Sequence, residues 1–434
     1  MVRFFSIALS FAIFTTASIA IAQPPSGTNS IDSRRWTGST ALGQAQGFAQ
    51  GSPLTLTWGF MANGTVINDN AHSGFPNGVN NLQTRLNTIY GSQAVWQPHF
   101  QSVFNRWSAV SGLSYVFEAN DDGAAIGTNT FPGGQVGVRA DVRIGGKALD
   151  GNSNVLAYNY FPNVGDMVID TNDNFYNDIS SSSIRLRNVV AHEHGHGIGM
   201  AHAESTTVPA GQFLMEPFFS NAFDGPQYWD ILVAHRGYGD VHEKSFSGLG
   251  NDIATRATAL GNVVTGGSVS IGNDARNLPV APTEIDFVSI DDNTDTDFFS
   301  FQVSAPGNVS ILLESLGQQF TIGPQDGVNG NEPLFDTQLR SDLVLSLFAS
   351  NGSTLLASVN ATSFGGNETI SNFILGNAGT YFVRVTGVDN TDSIYLDTQF
   401  YGLNVSFVGV PEPGSLALLL GAGMALSFTR RRRK

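Results

Sequence analysis

Residues 192–202 read His-Glu-His-Gly-His-Gly-Ile-Gly-Met-Ala-His, which places four of the chain's eight histidines within eleven positions. On a helix His192 and His196 stand one turn apart on the same face, the spacing at which two imidazoles grip a single zinc ion. Gly199 can take the left-handed conformation that ends a helix, so the chain can turn and bring His202 to the metal from another side. Three neutral nitrogens leave one coordination position for water. Glu193 adjoins the first ligand and is placed to take that water's proton as it attacks a zinc-polarised carbonyl. The competing reading is a histidine-rich surface patch, or a structural three-histidine site without turnover. His194 lies about 200° round the helix from His192 and falls outside the ligand set. A supporting or surface role is expected for it, and a similarly plain role for His72, His99, His235 and His242.

These side chains need a scaffold. Gly195, Gly197 and Gly199 each weaken a bare helix by about 1 kcal/mol, so the helix starting near Ser183 must be held by packing of Ile184, Val189 and Val190. Upstream, the run Leu54–Met61 is strand-like, and Val79, Leu82, Leu86 and Ile89 recur at helical spacing. A second helix, with Pro98 near its first turn, presents Phe100, Val103, Phe104 and Trp107 on one face. Val136, Val138, Val142 and Ile144 alternate as a half-buried strand, and Val155–Phe161 gives another. A mixed α and β domain follows from this order. After about residue 250 the pattern changes to short alternating stretches separated by Gly, Asn, Asp and Ser, which is the mark of an all-β sandwich.

Composition narrows the class further. The 434 residues are 41% hydrophobic and 13% charged, too apolar for disorder and long enough for more than one core. The formal net charge is -15, so a nucleic acid backbone would be repelled and no nucleic acid partner is expected. With zero cysteines, disulfides, thiolate metal sites and cysteine nucleophiles are excluded, and any metal must be held by histidines and carboxylates. Arg3, an apolar stretch to Ala22 and the small residues Ala20 and Ala22 form a secretory signal cut before Gln23. At the other end Pro411-Glu412-Pro413 precedes an apolar run from Leu416 to Phe428 and the basic cluster Arg430–Lys434. Such a tail attaches transiently to a membrane with its charges on the cytoplasmic side.

Several stretches resemble known families. The histidine pattern, with Leu214-Met215-Glu216-Pro217 as a turn carrying Met215 thirteen residues after His202, resembles the metzincin signature. Residues 140–145, 155–157, 165–173, Asp230-Ile231 and Gly237-Tyr238-Gly239 resemble the matrixins among metzincins, over roughly residues 53 to 240. That resemblance implies a zinc endopeptidase with Met215 as an apolar floor beneath the histidines. It implies a substrate cleft lined by Val155, Leu156, Ala157 and Tyr158, which pair with an extended protein or peptide substrate. Pro217, Phe218 and Phe219 would wall the pocket for the side chain after the scissile bond. Asp150, Asp170 and Asp173 match one structural calcium site, and Asp141 with Asp166 a second; ordinary turn chemistry for Asp is the alternative. Tyr158 and Met167 stand where many animal matrixins have histidines for a second zinc, so one catalytic zinc is expected. Without cysteine, the family's cysteine switch is ruled out.

Asp295-Thr296-Asp297-Phe298-Phe299, Ser341–Leu345, Gly379–Val383 and Tyr395 resemble the bacterial pre-peptidase C-terminal domain, a β-sandwich beside secreted proteases. The Asp295 and Asp297 pair is a further candidate for calcium. The C-terminal tail resembles the PEP-CTERM sorting signal of Gram-negative bacteria, which implies an exosortase-type processing enzyme besides signal peptidase, and a cell-surface or exopolysaccharide address.

The expected fold is α+β: a metzincin-like zinc protease domain, a mixed twisted sheet with an active-site helix, followed by an all-β sandwich. The expected layout is signal peptide 1–22, linker or short pro-segment 23–52, catalytic domain 53–250, linker 251–280, sandwich 281–408 and sorting signal 410–434. The expected function is a secreted zinc-dependent endopeptidase with Glu193 as general base. The alternatives are a surface or matrix adhesion protein retaining the zinc scaffold without catalysis, and a metal-dependent hydrolase acting on something other than peptide bonds.

Overall fold

A computed structural model describes residues 3–7, 35–41, 49–127, 131–152, 154–203, 212–321, 334–388 and 398–410. The rest of the expected signal peptide and the whole sorting signal lie outside the described residues. Among those described, no helix is long and apolar enough to cross a membrane.

The first domain is a twisted sheet with helices packed on it. Its strands are β1 (Arg3–Ile7), β2 (Leu54–Phe60), β3 (Leu113–Phe117), β4 (Val142–Lys147), β5 (Val155–Tyr160) and β6 (Met167–Asp170), in spatial order β1-β5-β6-β4-β2-β3. All neighbours are parallel except β5 and β6, which run antiparallel. Strands β4 and β6 are buried on both faces, so they are apolar without clean alternation. Val136 and Val138, expected to open β4, instead lie in a turn closed by a bridge between Gln135 and Arg139, and Val136 is exposed.

Helices α1 (Leu82–Tyr90) and α2 (Gln93–Ala109) cover the sheet. Helix α2 buries Trp96, Phe100, Val103, Phe104 and Trp107, the face that its spacing predicts, although Pro98 sits deeper than the first turn. The Trp58 ring from β2 stacks on Phe104 with centroids 4.4 Å apart, which ties helix to sheet. Helix α3 (Ser180–Gly197) crosses behind β5, and its regular part starts after Ser183, because Ser181–Ser183 have positive φ. Helix α4 (Tyr228–Tyr238) closes the domain.

The second domain is a β-sandwich. One sheet has the order β7-β9-β14-β11-β12 and the other β8-β15-β10-β13, with Ser289–Ile290 added against β15. Their ranges are β7 Thr258–Asn262, β8 Ser268–Ile271, β9 Thr296–Val303, β10 Gly307–Ser315, β11 Leu343–Phe348, β12 Leu355–Val359, β13 Glu368–Leu375, β14 Gly379–Gly387 and β15 Gln399–Gly409. Strands β7 and β8 fall inside the stretch 251–280 read as a linker, so the sandwich begins at Thr258. Their Thr, Gly, Ser and Asn content hid them, since such residues favour turns over strands.

The two domains share apolar packing. Tyr228 packs on Phe400 at 5.2 Å, and Phe213 and Trp229 pack on Phe320 at 5.0 and 5.6 Å between centroids. Tyr228 also hydrogen-bonds through its hydroxyl to Thr337 Oγ1 at 2.8 Å.

Candidate metal centre

Helix α3 brings His192 and His196 to one face, and the chain then turns at Gly199, whose φ is 111°, to return His202. The Nε2 atoms of His192 and His196 each lie 3.1 Å from Nε2 of His202. Tetrahedral zinc with bonds of ~2.05 Å would hold its ligand nitrogens ~3.3 Å apart, so the three side chains fit that ion. Their tautomers support the fit. His192 donates from Nδ1 to Leu214 O at 2.6 Å, and His196 from Nδ1 to Met200 O at 2.7 Å. Both Nε2 atoms therefore carry lone pairs, the state a metal needs. Burial, then the neighbouring imidazoles, push the pKa of His192 well below its usual value, which keeps it neutral.

Glu193 is fully buried, and neither carboxylate oxygen has a hydrogen-bond partner among the described residues. Burial raises its pKa well above the usual carboxylate range. An unpaired buried carboxylate is costly and is expected only where a bound molecule will meet it.

The helix glycines have visible causes. A Cβ on Gly195 would run into the Met215 side chain, and one on Gly197 would sit 2.8 Å from Asn159 Nδ2 of β5. Met215 is thus held directly against the histidine helix. The turn around it is anchored by Asp230 at the start of α4, which accepts from Leu214 N at 2.8 Å, Met215 N at 3.1 Å and Gln227 N at 2.8 Å. Asp230 orients the Leu214 carbonyl that in turn fixes His192. This positioning role is carried by no sequence spacing and was missed.

Other features depart from the sequence reading. His194 is not at the surface but buried, with Nε2 2.6 Å from the Tyr115 hydroxyl and its ring against Phe104. Burial pushes its pKa down to about 3, so the ring that shares this hydrogen bond with Tyr115 is neutral. His235 is buried as well, between Val110 O and Ser289 Oγ. Residues 35–41, read as part of a linker or short pro-segment, dock on the first domain. Trp36 donates from Nε1 to Gly197 O at 2.6 Å, and Ser39 and Thr40 bind the Asp141 carboxylate.

The calcium candidates named from the resemblance are engaged with the protein's own donors. Both Asp141 oxygens accept from Ser39, Thr40 and Thr57. Asp166 is buried and accepts from Arg143 N at 3.2 Å, and its pKa rises to about 7 chiefly through burial. Asp150 and Asp173 accept from backbone N–H groups of their own loops, as turn aspartates do, while Asp170 accepts from Asn172 N and, across the sheet end, from Leu149 N and Gly151 N of the loop that carries Asp150. Among the described residues, two trios of metal-competent side chains converge: the histidines, and Glu243 with Asp295 and Asp297. Neither includes the loop aspartates named from the resemblance. Near Tyr158, Asp69 forms an ion pair with Lys147 and accepts hydrogen bonds from the hydroxyls of Tyr158 and Tyr160.

In the expected cleft, Leu156, Ala157 and Tyr158 are buried and Val155 is partly exposed. Arg3–Ile7 lies along β5 in parallel register, Arg3 opposite Val155 and Ile7 opposite Tyr160. Past the Met215 turn, Pro217 is buried, and Phe219 packs on Phe175 at 4.9 Å.

Comparison with known proteins agrees with this division. Residues 82–225 match the family model described as Matrixin, and residues 295–387 that described as Bacterial pre-peptidase C-terminal domain. The chain therefore contains a matrixin domain followed by a β-rich pre-peptidase C-terminal domain, which supports a metalloprotease. No curated protein matches. Among solved structures, the chain is similar to the pre-peptidase C-terminal domain of a collagenase from Bacillus anthracis. Identity there is 16%, over 35% of this chain and 94% of that one, with a TM-score of 0.19. It is also similar to PliG, a periplasmic inhibitor of g-type lysozyme from Aeromonas hydrophila, at 12% identity over 35% and 96% of the two chains, with a TM-score of 0.20. Those scores are too low to carry an argument about fold or function.

Proposed function

We propose that the chain is a secreted zinc-dependent endopeptidase of matrixin type, with His192, His196 and His202 holding one zinc and Glu193 as general base. The observation that carries this is the convergence of the three Nε2 atoms next to Glu193, a buried carboxylate without hydrogen-bond partners among the described residues. Bound there, zinc supplies Lewis acidity and a nucleophile at neutral pH. Glu193 takes the proton of the attacking water and returns it to the leaving amine nitrogen as the peptide bond breaks. The substrate lies extended along β5, whose edge already accepts a strand in Arg3–Ile7. Pro217, Phe218 and Phe219 favour an apolar side chain beyond the scissile bond. Export through residues 1–22 and exosortase-type processing of residues 410–434 would deliver the protein to the surface of a Gram-negative cell. The sandwich serves as an accessory domain.

The adhesion alternative has less support, since a scaffold needs no unpaired carboxylate next to its metal. The test is cleavage of a quenched, unstructured protein by the zinc-loaded chain and by Glu193→Ala. The parent should cleave, and the variant should be slower by about 10²–10⁴ with unchanged zinc content. Equal inertness of both zinc-bound forms would overturn the reading.

A further inference from the structure

The end of helix α3 leads into the turn between the second and third histidines, and the last carbonyls of a helix have no helical partner of their own. Two of them are met inside the turn: His196 O accepts from Gly199 N and Gly195 O from Met200 N, each at 2.9 Å. The next two are met from far along the chain. Gly197 O accepts from Trp36 Nε1 at 2.6 Å, and Ile198 O from the Tyr238 hydroxyl at 2.9 Å. Trp36 N also donates to that hydroxyl, at 3.0 Å, so the two donors act as one unit.

Trp36 is held firmly in this place. It is 4% exposed, and a Cβ on Gly165, where φ is 66°, would strike its ring. After it, Thr37 N donates to Asn163 Oδ1 at 2.8 Å, in the loop that follows β5. Before it, the Arg35 guanidinium lies 4.9 Å from the centre of the Tyr238 ring and donates to Ser52 O at 2.9 Å. The segment is thus fastened to the β5 loop, to α4 and to the approach to β2. A plain spacer needs none of these contacts.

We propose that Trp36 is a positioning residue for the metal centre: acting through Gly197 O and the Tyr238 hydroxyl, it holds the turn that returns His202 to His192 and His196. The proposal rests on zinc binding by those histidines. Gly197 is buried, so without the indole donor its carbonyl loses its partner away from solvent, and the turn must shift to satisfy it. Five residues on, His202 carries one of the three converging nitrogens, so a shifted turn moves a ligand. N-terminal processing that reached past Arg35 would therefore remove a support of the metal centre, not a spacer.

The test uses the full chain, stripped of metal and reloaded with zinc or cobalt. Trp36→Phe keeps an aromatic ring and removes the indole donor. It should bind zinc about 10-fold more weakly in competition with a chromophoric chelator, and the visible bands of its cobalt form should shift. Trp96→Phe makes the same change at a buried indole of α2 that donates to Asn87 Oδ1; it should lower Tm while zinc affinity and cobalt bands stay as in the parent. Coupling is reciprocal, so zinc should also slow hydrogen exchange at the backbone amides of residues 35–41 in the parent. Parent-like zinc affinity and cobalt bands in Trp36→Phe, or equal changes in Trp96→Phe, would overturn the proposal. Should Trp36→Phe not fold, exchange in residues 35–41 that zinc leaves unchanged overturns it equally. A parent that takes up no zinc overturns the zinc reading and this proposal together. The readouts are metal affinity and exchange, so a failure to cleave peptides bears on the peptidase reading alone.

Discussion

Helices α3 and α4 both bury histidines, yet they use them oppositely. On α3, His192 and His196 spend Nδ1 on backbone carbonyls and turn their Nε2 atoms toward Nε2 of His202. On α4, His235 has both nitrogens engaged, Nε2 donating to Val110 O at 2.7 Å and Nδ1 accepting from Ser289 Oγ at 2.9 Å. Burial alone therefore does not distinguish a ligand from a core histidine. The distinction lies in where Nε2 is directed, toward other imidazoles on α3 and toward a backbone carbonyl on α4.

The sharpest way to break this contrast is His196→Gln. Zinc content should drop below one ion per chain and hydrolysis should fall at least about 10³-fold, measured by metal analysis and the quenched substrate. His235→Gln should leave zinc bound, and if it does not, the contrast fails.

Asp230→Ala comes next. It strands three buried N–H groups and frees the Leu214 carbonyl, so stability should fall by about 3–5 kcal/mol in urea unfolding. Zinc affinity should weaken about 10–100-fold, as expected when a group that orients a ligand is removed.

A third effect is the pH dependence that His235 contributes from α4. Burial lowers the pKa of His235 to about 4, below its unfolded value near 6.5. The unfolded chain then takes the proton first, so this residue's contribution is full above about pH 6.5 and is lost as pH falls toward 4. Its size is up to about 3 kcal/mol. Buried carboxyls such as Asp166 act in the opposite sense, so the measurement is the difference in urea midpoint between parent and His235→Gln at pH 7.5 and 4.5. Parallel slopes would refute it. The smallest effect is expected on the outer side of α3, where Arg187 pairs with Asp224 at 2.6 Å with both side chains partly exposed. Arg187→Gln should shift stability by no more than about 1 kcal/mol.

The histidine centre was legible because an i, i+4 pair and a glycine turn are local, and the helix-and-strand plan because apolar spacing is local too. What stayed hidden is what the chain brings together over long distance. Asp69 meets Lys147, Tyr158 and Tyr160 only after the sheet forms, and Asp230 reaches the Met215 turn across a loop. Trp36 sits in a stretch whose composition reads as a linker, yet one indole N–H caps the end of α3. Likewise β7 and β8 are strands by pairing with β9 and β15, since their own residues are turn formers.

The aromatic seam between the domains couples the accessory sandwich to the catalytic centre. Phe320 and Phe400 cover Phe213, Tyr228 and Trp229, and Phe213 immediately precedes the Leu214 carbonyl that holds His192. Proteolytic removal of the sandwich would leave those rings facing water beside Leu214, whose carbonyl accepts from His192. Loss of the sandwich would thus expose an aromatic surface on the first domain and loosen the turn that carries Leu214.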